Sequence, residues 1–310
     1  MNARNDCKVV LVTRRTRLQE LVARYHTLEQ SRFYVEHLGA DFSDYVKEDE
    51  VYARQLRVAM QTLQAWGRYQ VIDRGYLPNF VFAPDDIVVA LGQDGLVANT
   101  MKYLEGQPLV GVNPEPARWD GVLLPFEAGD LGPILREVAG GRRAHKAVTM
   151  AQAILSDGQC LRAVNDLFIG PRTHTSALYD IELGGRRESQ SSSGIIVSTG
   201  LGSTAWLKSV VTGASGIARA VGTSAPLAYR PQAWDSDQLT FAVREPFPSR
   251  GSQAELVFGG VTHEQSLKLR SRMPENGVIF SDGMEADYLA FTAGMEAVVT
   301  VAASKGHLVV

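Results

Sequence analysis

The chain has 310 residues, of which 45% are apolar and 21% charged, so an ordinary globular protein with two domains or one large domain is expected. A net charge of −3 at pH 7 provides no general attraction to nucleic acid or to an anionic membrane. No apolar run approaches the roughly 20 residues of a membrane helix, the amino terminus lacks the apolar core of a signal peptide, and two cysteines without metal-ligand spacing predict a reducing, cytoplasmic location and no protein-held metal.

The first half of the sequence alternates predicted strands and helices. Apolar runs typical of buried strands lie at 8–13, 69–73, 86–92 and 107–113. Apolar residues at helical spacing predict helices over 18–28, about 44–66, 97–104 and 130–140. Gly39 is the expected C-cap of the first helix. This alternation indicates a parallel sheet covered by helices on both faces.

The pattern changes after about residue 141 to short strands separated by turn signals. Asp157-Gly158 predicts a hairpin between the two strands of "AVTMAQAILSDGQCLRAVNDLFIG". Further short strands follow as far as "AVVTVAAS", with one helix near 204–211. The sequence therefore predicts an α/β domain over 1–141 and a β-rich, sandwich-like domain over 142–310, divided near Arg142-Arg143.

The stretch "DDIVVALGQDGLVANTMKYL" at 85–104 predicts a strand, a turn and a helix. Such a turn presents free backbone N–H groups and the positive end of the helix dipole, which suits phosphate. Gly92 and Gly95 permit a sharp turn and a close approach to the backbone. Asp94, between them, is either a catalytic acid that binds Mg²⁺ or takes a proton from an acceptor hydroxyl, or the cap of the helix. The residues alone leave both interpretations open.

A second candidate is "GIIVSTGLGSTAWLKS" at 194–209, where Gly200, Gly202 and Ala205 have the spacing of the dinucleotide fingerprint. That fingerprint needs an acidic residue about 20 positions further on, but none occurs between Ser189 and Trp234. A Rossmann dehydrogenase is therefore disfavoured. The stretch indicates a loop of backbone amides and hydroxyls around a polar, phosphorylated ligand, with a tight strand-to-helix turn as the alternative.

Two dipeptides that each contain one aspartate complete the set of candidates. Asn165-Asp166 interrupts the apolar strand "LRAVNDLFIG", and a buried carboxylate is costly unless it is paired or hydrogen-bonded. Ribose hydroxyls would satisfy it; a bulge or a strand end at the surface is the alternative. Asp282-Gly283 in "VIFSDGME" is most simply a turn.

Taken in chain order, the four stretches resemble the motifs of the NAD kinase family. That family is related to diacylglycerol and sphingosine kinases and to 6-phosphofructokinase. "GQDGL" stands where that family has GGDGT, and "PLVGVNPEPARWDGVLLPF" where it has a GVN-type segment and LGFL. Asn165-Asp166 stands in place of an Asn-Glu pair, "TGLGSTAW" in place of TPTGSTAY, and Asp282-Gly283 in place of a late Asp-Gly. The resemblance spans roughly 9–310 and implies an α/β domain joined to a β-rich one.

The resemblance implies a kinase that transfers phosphate from ATP, with Mg²⁺, to the 2′-hydroxyl of the adenosine ribose of NAD or NADH. It implies that Asp94 is the general base or a Mg²⁺-linked carboxylate. The phosphate loop is then Gly92, Gln93 and Gly95. The implied acceptor-binding residues are Asn165, Asp166, Thr204, Ala205, Trp206 and Ser209, with Trp206 stacking in place of the family tyrosine. The resemblance also implies that the partners are small-molecule nucleotides. It further implies that the protein forms a homo-oligomer of two or four chains.

Three departures from the family motifs bear on activity. Gln93 replaces a glycine, so a positive φ is less accessible there, while Leu96 and Leu201 each replace a threonine hydroxyl. These changes keep two alternatives open. One is a kinase of the same fold with a sugar, nucleoside or lipid acceptor. The other is an NAD(P)-binding sensor without turnover.

Overall fold

The computed structural model describes residues 7–222, 229–284 and 287–310. The chain forms two compact units, Met1–Lys146 with His307–Val310 and Ala147–Gly306. The division therefore lies after Lys146 rather than at the predicted 141/142, and the last four residues return to the first unit. That return is a pairing between strands distant in the chain, which no local pattern in the sequence reveals.

The strands and helices of the described residues are numbered in chain order. The strands are β1 (Val9–Thr13), β2 (Tyr69–Asp73), β3 (Ile87–Leu91), β4 (Pro108–Val112), β5 (His145–Val148), β6 (Ala151–Leu155), β7 (Cys160–Ala163), β8 (Asp166–Pro171), β9 (Ala177–Leu183), β10 (Arg186–Ser192), β11 (Ile195–Ser198), β12 (Leu239–Val243), β13 (Phe258–Val261), β14 (Leu267–Ser271), β15 (Gly277–Ser281), β16 (Tyr288–Ala290), β17 (Glu296–Val301) and β18 (Gly306–Val309). The helices are α1 (Arg17–Tyr25), α2 (Leu28–His37), α3 (Phe42–Trp66), α4 (Asp94–Met101), α5 (Leu131–Ala139) and α6 (Trp206–Ala220).

The first unit contains a sheet with strand order β2-β1-β3-β4-β18-β5. The pairings from β2 through β18 are all parallel. Every residue of β3 is buried, as expected for a strand covered on both faces. One core cluster joins the sheet to α3 and α5 through Tyr52, Leu63, Leu131 and Leu135. The predicted α/β domain is thus confirmed, with parallel pairing along five of the six strands of its sheet.

The single helix predicted from residue 18 to Gly39 is wrong, because the chain forms α1 and α2 instead. His26 adopts a left-handed conformation with φ of 70°, and the side chain of Thr27 then accepts a hydrogen bond from the backbone of Gln30 as the N-cap of α2. Gly39, with φ of 76°, lies one residue beyond the C-cap of α2. The apolar spacing continues across the break, which is why periodicity alone misses it.

The second unit is a β-sandwich of two six-stranded sheets. The strand orders are β10-β9-β14-β17-β6-β7 and β13-β12-β11-β8-β15-β16. All the described pairings are antiparallel. Inward side chains of both sheets share one core, to which β8 contributes Leu167 and Ile169. The β-rich, sandwich-like prediction is confirmed.

The predicted hairpin at Asp157-Gly158 forms between β6 and β7, and Gly158 has the positive φ that the turn requires. Its second strand, however, ends at Ala163 instead of running through to Gly170. Asp166 begins β8, which belongs to the other sheet. The Asn165-Asp166 pair therefore lies where the chain passes from one sheet to the other. No helix among the described residues is long and apolar enough to cross a membrane.

Candidate active site

Asp94 is the first residue of α4, directly after the carboxyl end of β3. The N-cap is Gln93, and no side chain caps this helix end. Asp94 Oδ1 instead accepts a hydrogen bond from the backbone N–H of Leu123 at 2.7 Å. Its Oδ2 has no hydrogen-bond partner among the described residues. The interpretation of Asp94 as a helix cap is therefore wrong, and the carboxylate is half-buried with one oxygen held and one oxygen open.

The segment that holds Asp94 is packed against the end of β4. Asn113 organises it, because its amide Nδ2 donates to the carbonyl of Trp119 at 3.0 Å and its Oδ1 accepts from the N–H of Glu115 at 3.0 Å. A Cβ on Gly111 would lie 1.9 Å from the carbonyl oxygen of Leu123, so a glycine is required there. These contacts fix the position of the Leu123 N–H and, through it, of the Asp94 carboxylate.

The three residues around Asp94 have different local roles. Gln93 has φ of −112° and ψ of 165°, an extended conformation open to any residue, so the expected backbone conflict does not arise. A Cβ on Gly92 would lie 2.8 Å from Leu96 Cδ2, so a larger residue there would have to displace the buried Leu96 side chain. At Gly95 a Cβ would meet nothing within 4 Å. The fold does not need glycine at 95, and the missing side chain leaves the helix end open.

The first turn of α4 has unused backbone donors. The N–H groups of Leu96 and Val97 both donate to the carbonyl of Gln93. The N–H groups of Asp94 and Gly95 have no backbone partner within the described part of the chain, as is usual at a helix start. Together with the helix dipole, they form a turn suited to an anionic oxygen.

Arg14 lies beside this turn, a placement that the motifs of the sequence do not predict. It follows β1, and its Nε and Cδ lie about 3.5 and 3.4 Å from where a Cβ on Gly92 would be. Its guanidinium forms a buried ion pair with Glu48 at 2.9 Å. The Tyr52 hydroxyl accepts from the backbone N–H of Arg14 and donates to the carbonyl of Leu91. The run "TRRTR" directly after a buried strand was the available signal.

In the second unit, Asp282 holds the backbone of the Asn165-Asp166 pair. Asp282 has a left-handed φ of 54°, and its Oδ1 accepts from the N–H groups of Asn165 at 2.6 Å and of Asp166 at 3.3 Å. Its Oδ2 accepts from the N–H of Val164 at 3.0 Å. The predicted turn at Asp282-Gly283 is present, but its carboxylate also joins β15 to the junction between the two sheets.

Asp166 is nearly buried, at 8% exposure, so a strand end at the surface does not describe it. Its Oδ1 has no hydrogen-bond partner among the described residues. Burial raises the pKa of Asp166 to about 7, a hydrogen bond from Ser198 opposes the rise, and the charge of Asp282 adds to it. Asn165 is half-buried, so the two members of the pair differ in access.

The glycines of the 199–205 turn are needed for packing within the unit. A Cβ on Gly200 would lie 1.8 Å from the carbonyl oxygen of Ala233, and a Cβ on Gly202 would lie 2.1 Å from that of Asn165. The hydroxyl of Thr199 donates to the carbonyl of Val164, and that of Ser203 donates to the carbonyl of Gly200, both at 2.6 Å. These contacts favour the tight-turn interpretation for 199–203.

Four predicted acceptor-binding residues follow at the start of α6. Thr204, Ala205 and Ser209 are exposed, and Trp206 is half-buried. The structure thus brings Asn165 against the turn that precedes these residues, within the second unit. Gly92, Gln93, Asp94 and Gly95 form the other group, within the first unit.

An α/β unit with the strand–turn–helix of β3 and α4 and a β-sandwich unit together form an NAD kinase-like fold. The chain resembles yeast NADH kinase, solved in complex with NADH, with a TM-score of 0.56 and 14% identity over 98% of this chain and 83% of that one. It also resembles an NAD kinase from Archaeoglobus fulgidus, solved in complex with ATP, with a TM-score of 0.52 and 15% identity over 97% of this chain and 92% of that one. In sequence, no protein-family model and no curated protein matches the chain.

Proposed function

We propose that the protein is a kinase that transfers phosphate from ATP to the 2′-hydroxyl of the adenosine ribose of NAD or NADH. The observation that carries the proposal is the state of Asp94. One carboxylate oxygen is fixed by Leu123, and the other is open beside the free donors of α4. The NAD kinase-like fold supports the choice of reaction.

In this proposal, the N–H groups of Asp94 and Gly95 bind phosphate oxygens of ATP, aided by the dipole of α4. The open oxygen of Asp94 accepts the proton of the attacking hydroxyl, or would hold Mg²⁺, while the bond between the γ-phosphorus and the β–γ bridging oxygen breaks and ADP leaves. Fixing one oxygen through Leu123 keeps the other aimed without using its lone pairs. The absence of a side chain at Gly95 allows phosphate to approach the backbone.

Mg²⁺ fits the donors of this loop. The ion usually takes one or two protein carboxylates and completes its shell with phosphate oxygens and water. Asp94 supplies one such carboxylate, and ATP brings the phosphates. Among the described residues, no group of three or more histidine, cysteine, aspartate or glutamate side chains forms a metal site. When bound, Mg²⁺ would neutralise phosphate charge.

For the acceptor, we propose binding by Asn165, Asp166, Thr204, Ala205, Trp206 and Ser209, in a cytoplasmic homo-oligomer. Asp166 has an oxygen without a hydrogen-bond partner among the described residues, and a ribose hydroxyl would supply the missing donor. Asn165 adds a half-buried amide with both donor and acceptor atoms.

The test compares Asp94→Asn with Asp85→Asn, an exposed aspartate at the other end of the same strand. Both variants remove one charge. We expect Asp94→Asn to lower NADP formation from ATP, Mg²⁺ and NAD by about 10²-fold or more, because general-base catalysis contributes about that much. Asp85→Asn should retain wild-type rates. Equal activity of both variants would remove Asp94 from the mechanism.

A further inference from the structure

The outer face of the second sheet of the β-sandwich has a cavity of about 160 Å³. Aromatic rings and guanidinium groups dominate its lining: Phe168, Trp206, Phe280, Tyr288, Arg172 and Arg244. We call this the aromatic–arginine pocket. It lies within one unit and involves no residue of the phosphate loop.

The strand register builds the aromatic part of the pocket. Along β8, Leu167 and Ile169 point into the core, so Phe168 between them faces outward. Phe168 pairs with Phe280 on β15, and Phe280 pairs with Tyr288 on β16, which places three rings in one row across the sheet. The ring centroids of Phe168 and Phe280 are 4.9 Å apart.

Trp206, at the start of α6, closes one side of the pocket. Its ring stacks on Phe168 with centroids 5.7 Å apart and planes 11° from parallel. Because Phe168 is buried between Trp206 and Phe280, the accessible aromatic surface of the cavity comes mainly from Trp206, Phe280 and Tyr288. Such surfaces favour a planar ligand, which can stack against them.

The two arginines supply charge at this apolar site. The Arg244 guanidinium lies 5.3 Å from the Trp206 ring centroid, and that of Arg172 lies 4.5 Å from the Tyr288 ring centroid. Stacking engages the face of a guanidinium and leaves the N–H donors at its edge available. Neither guanidinium forms an ion pair or a hydrogen bond with the described residues. Two such cations suit a carboxylate, which arginine binds through two parallel hydrogen bonds.

From this arrangement we propose that the aromatic–arginine pocket binds a small aromatic carboxylate, with its ring among the aromatic side chains and its anion on Arg172 and Arg244. The volume agrees, because a cavity of about 150 Å³ holds a benzene ring. The proposal goes beyond the proposed kinase reaction and concerns binding alone. It shares only Trp206 with the proposed acceptor site.

The proposal requires both an aromatic ring and a negative charge in the ligand. Binding of benzoate, benzamide and acetate to the 310-residue chain tests these two requirements separately. Benzamide keeps the ring and the shape without the charge, and acetate keeps the charge without the ring. We expect ligand-observed NMR titrations to show benzoate binding at least about tenfold more tightly than either control compound, since losing one charge-assisted hydrogen bond costs about that factor.

Arg244→Gln and Arg172→Gln should each weaken benzoate binding by about tenfold and leave benzamide binding unchanged. Arg270→Gln is the matched control, because Arg270 is an exposed arginine on β14, in the other sheet. It should bind benzoate as the wild type does. Thermal unfolding of each variant checks that the fold is retained.

Three results would overturn the proposal: no benzoate binding at about 10 mM, equal affinities for benzoate and benzamide, or benzoate binding unchanged in both Arg172→Gln and Arg244→Gln. Asp94→Asn should bind benzoate normally. Failure of the kinase proposal therefore leaves this test intact, and failure of this test leaves the kinase assay intact.

Discussion

At the scale of single residues, three aspartates meet three different environments. One carboxylate oxygen of Asp94 is fixed by the N–H of Leu123 and the other is open, which suits accepting a proton or binding a cation. Asp282 accepts hydrogen bonds from three successive backbone N–H groups, which suits a structural role. Asp166 is buried with an oxygen that lacks a hydrogen bond among the described residues. Residue type alone does not separate these roles, because each depends on which backbone groups fold against the carboxylate.

Asp166 makes stability depend on pH in a direction that follows from its raised pKa of about 7. The folded state binds this proton more tightly than the unfolded chain, so the contribution of Asp166 to the free energy of unfolding is fully present below about pH 4 and is lost as the pH rises to about 7. Asp166→Asn removes this loss. We expect the variant to be more stable than the wild type by about 1–3 kcal/mol at pH 8 and similar at pH 4.

Urea denaturation at pH 4, 6 and 8 measures the effect, with Asp85→Asn as the control for loss of an exposed charge. If Asp166→Asn were no more stable than the wild type at pH 8, ionisation of the buried Asp166 carboxyl would not destabilise the fold.

At the scale of elements, the Asp282 carboxylate joins the end of β15 to the junction of β7 and β8. Asp282→Asn preserves the size of the side chain and tolerates the left-handed φ of 54°. It removes the charge from several hydrogen bonds, so we expect a loss of about 1.5–3 kcal/mol in the free energy of unfolding. The pKa of Asp166 should also fall, because a neighbouring negative charge is removed.

Glu245→Gln is the control for this substitution, since Glu245 is also left-handed, with φ of 49°, but is exposed. Chemical denaturation gives the stability, and its pH dependence gives the shift of the Asp166 pKa. A loss below about 0.5 kcal/mol for Asp282→Asn would show that its amide contacts contribute little.

Substitution by alanine at two glycines of neighbouring elements should change the free energy of unfolding in opposite directions. Gly202→Ala would drive a Cβ to 2.1 Å from the backbone oxygen of Asn165, so we expect a loss of about 3 kcal/mol or more. Gly213→Ala, in α6, meets nothing within 4 Å and should gain about 0.5–1 kcal/mol. Thermal unfolding measures both, and similar changes at the two sites would contradict the packing described for the turn.

The sequence predicts some elements well and others poorly, for physical reasons. The continuous apolar runs of β1, β3 and β4 identify buried parallel strands because both faces of each strand are covered. The break at His26-Thr27 escapes prediction because it contains neither glycine nor proline. The change of sheet after Ala163 escapes because β7 and β8 are both apolar. At the candidate site, the sequence predicts a role for Asp94 but not its contact with Leu123, because that contact depends on how the loop after β4 folds back.

At the scale of the whole molecule, the chain combines an α/β unit and a β-sandwich in the NAD kinase-like fold, although its sequence is only 14–15% identical to the two kinases of known structure. The fold tolerates Gln93 because its backbone is extended there, and Leu96 because it packs on Gly92. These two departures therefore fit the turn between β3 and α4 without a steric conflict.

The identity of the phosphorylated product tests the proposed kinase reaction most directly. Purified protein is incubated with ATP, Mg²⁺ and either NAD or NADH, and the product is assayed with an NADP-specific dehydrogenase. We expect formation of NADP or NADPH that depends on Asp94. Nucleotide binding without phosphate transfer, or transfer only to a sugar, nucleoside or lipid acceptor, would contradict the proposed function.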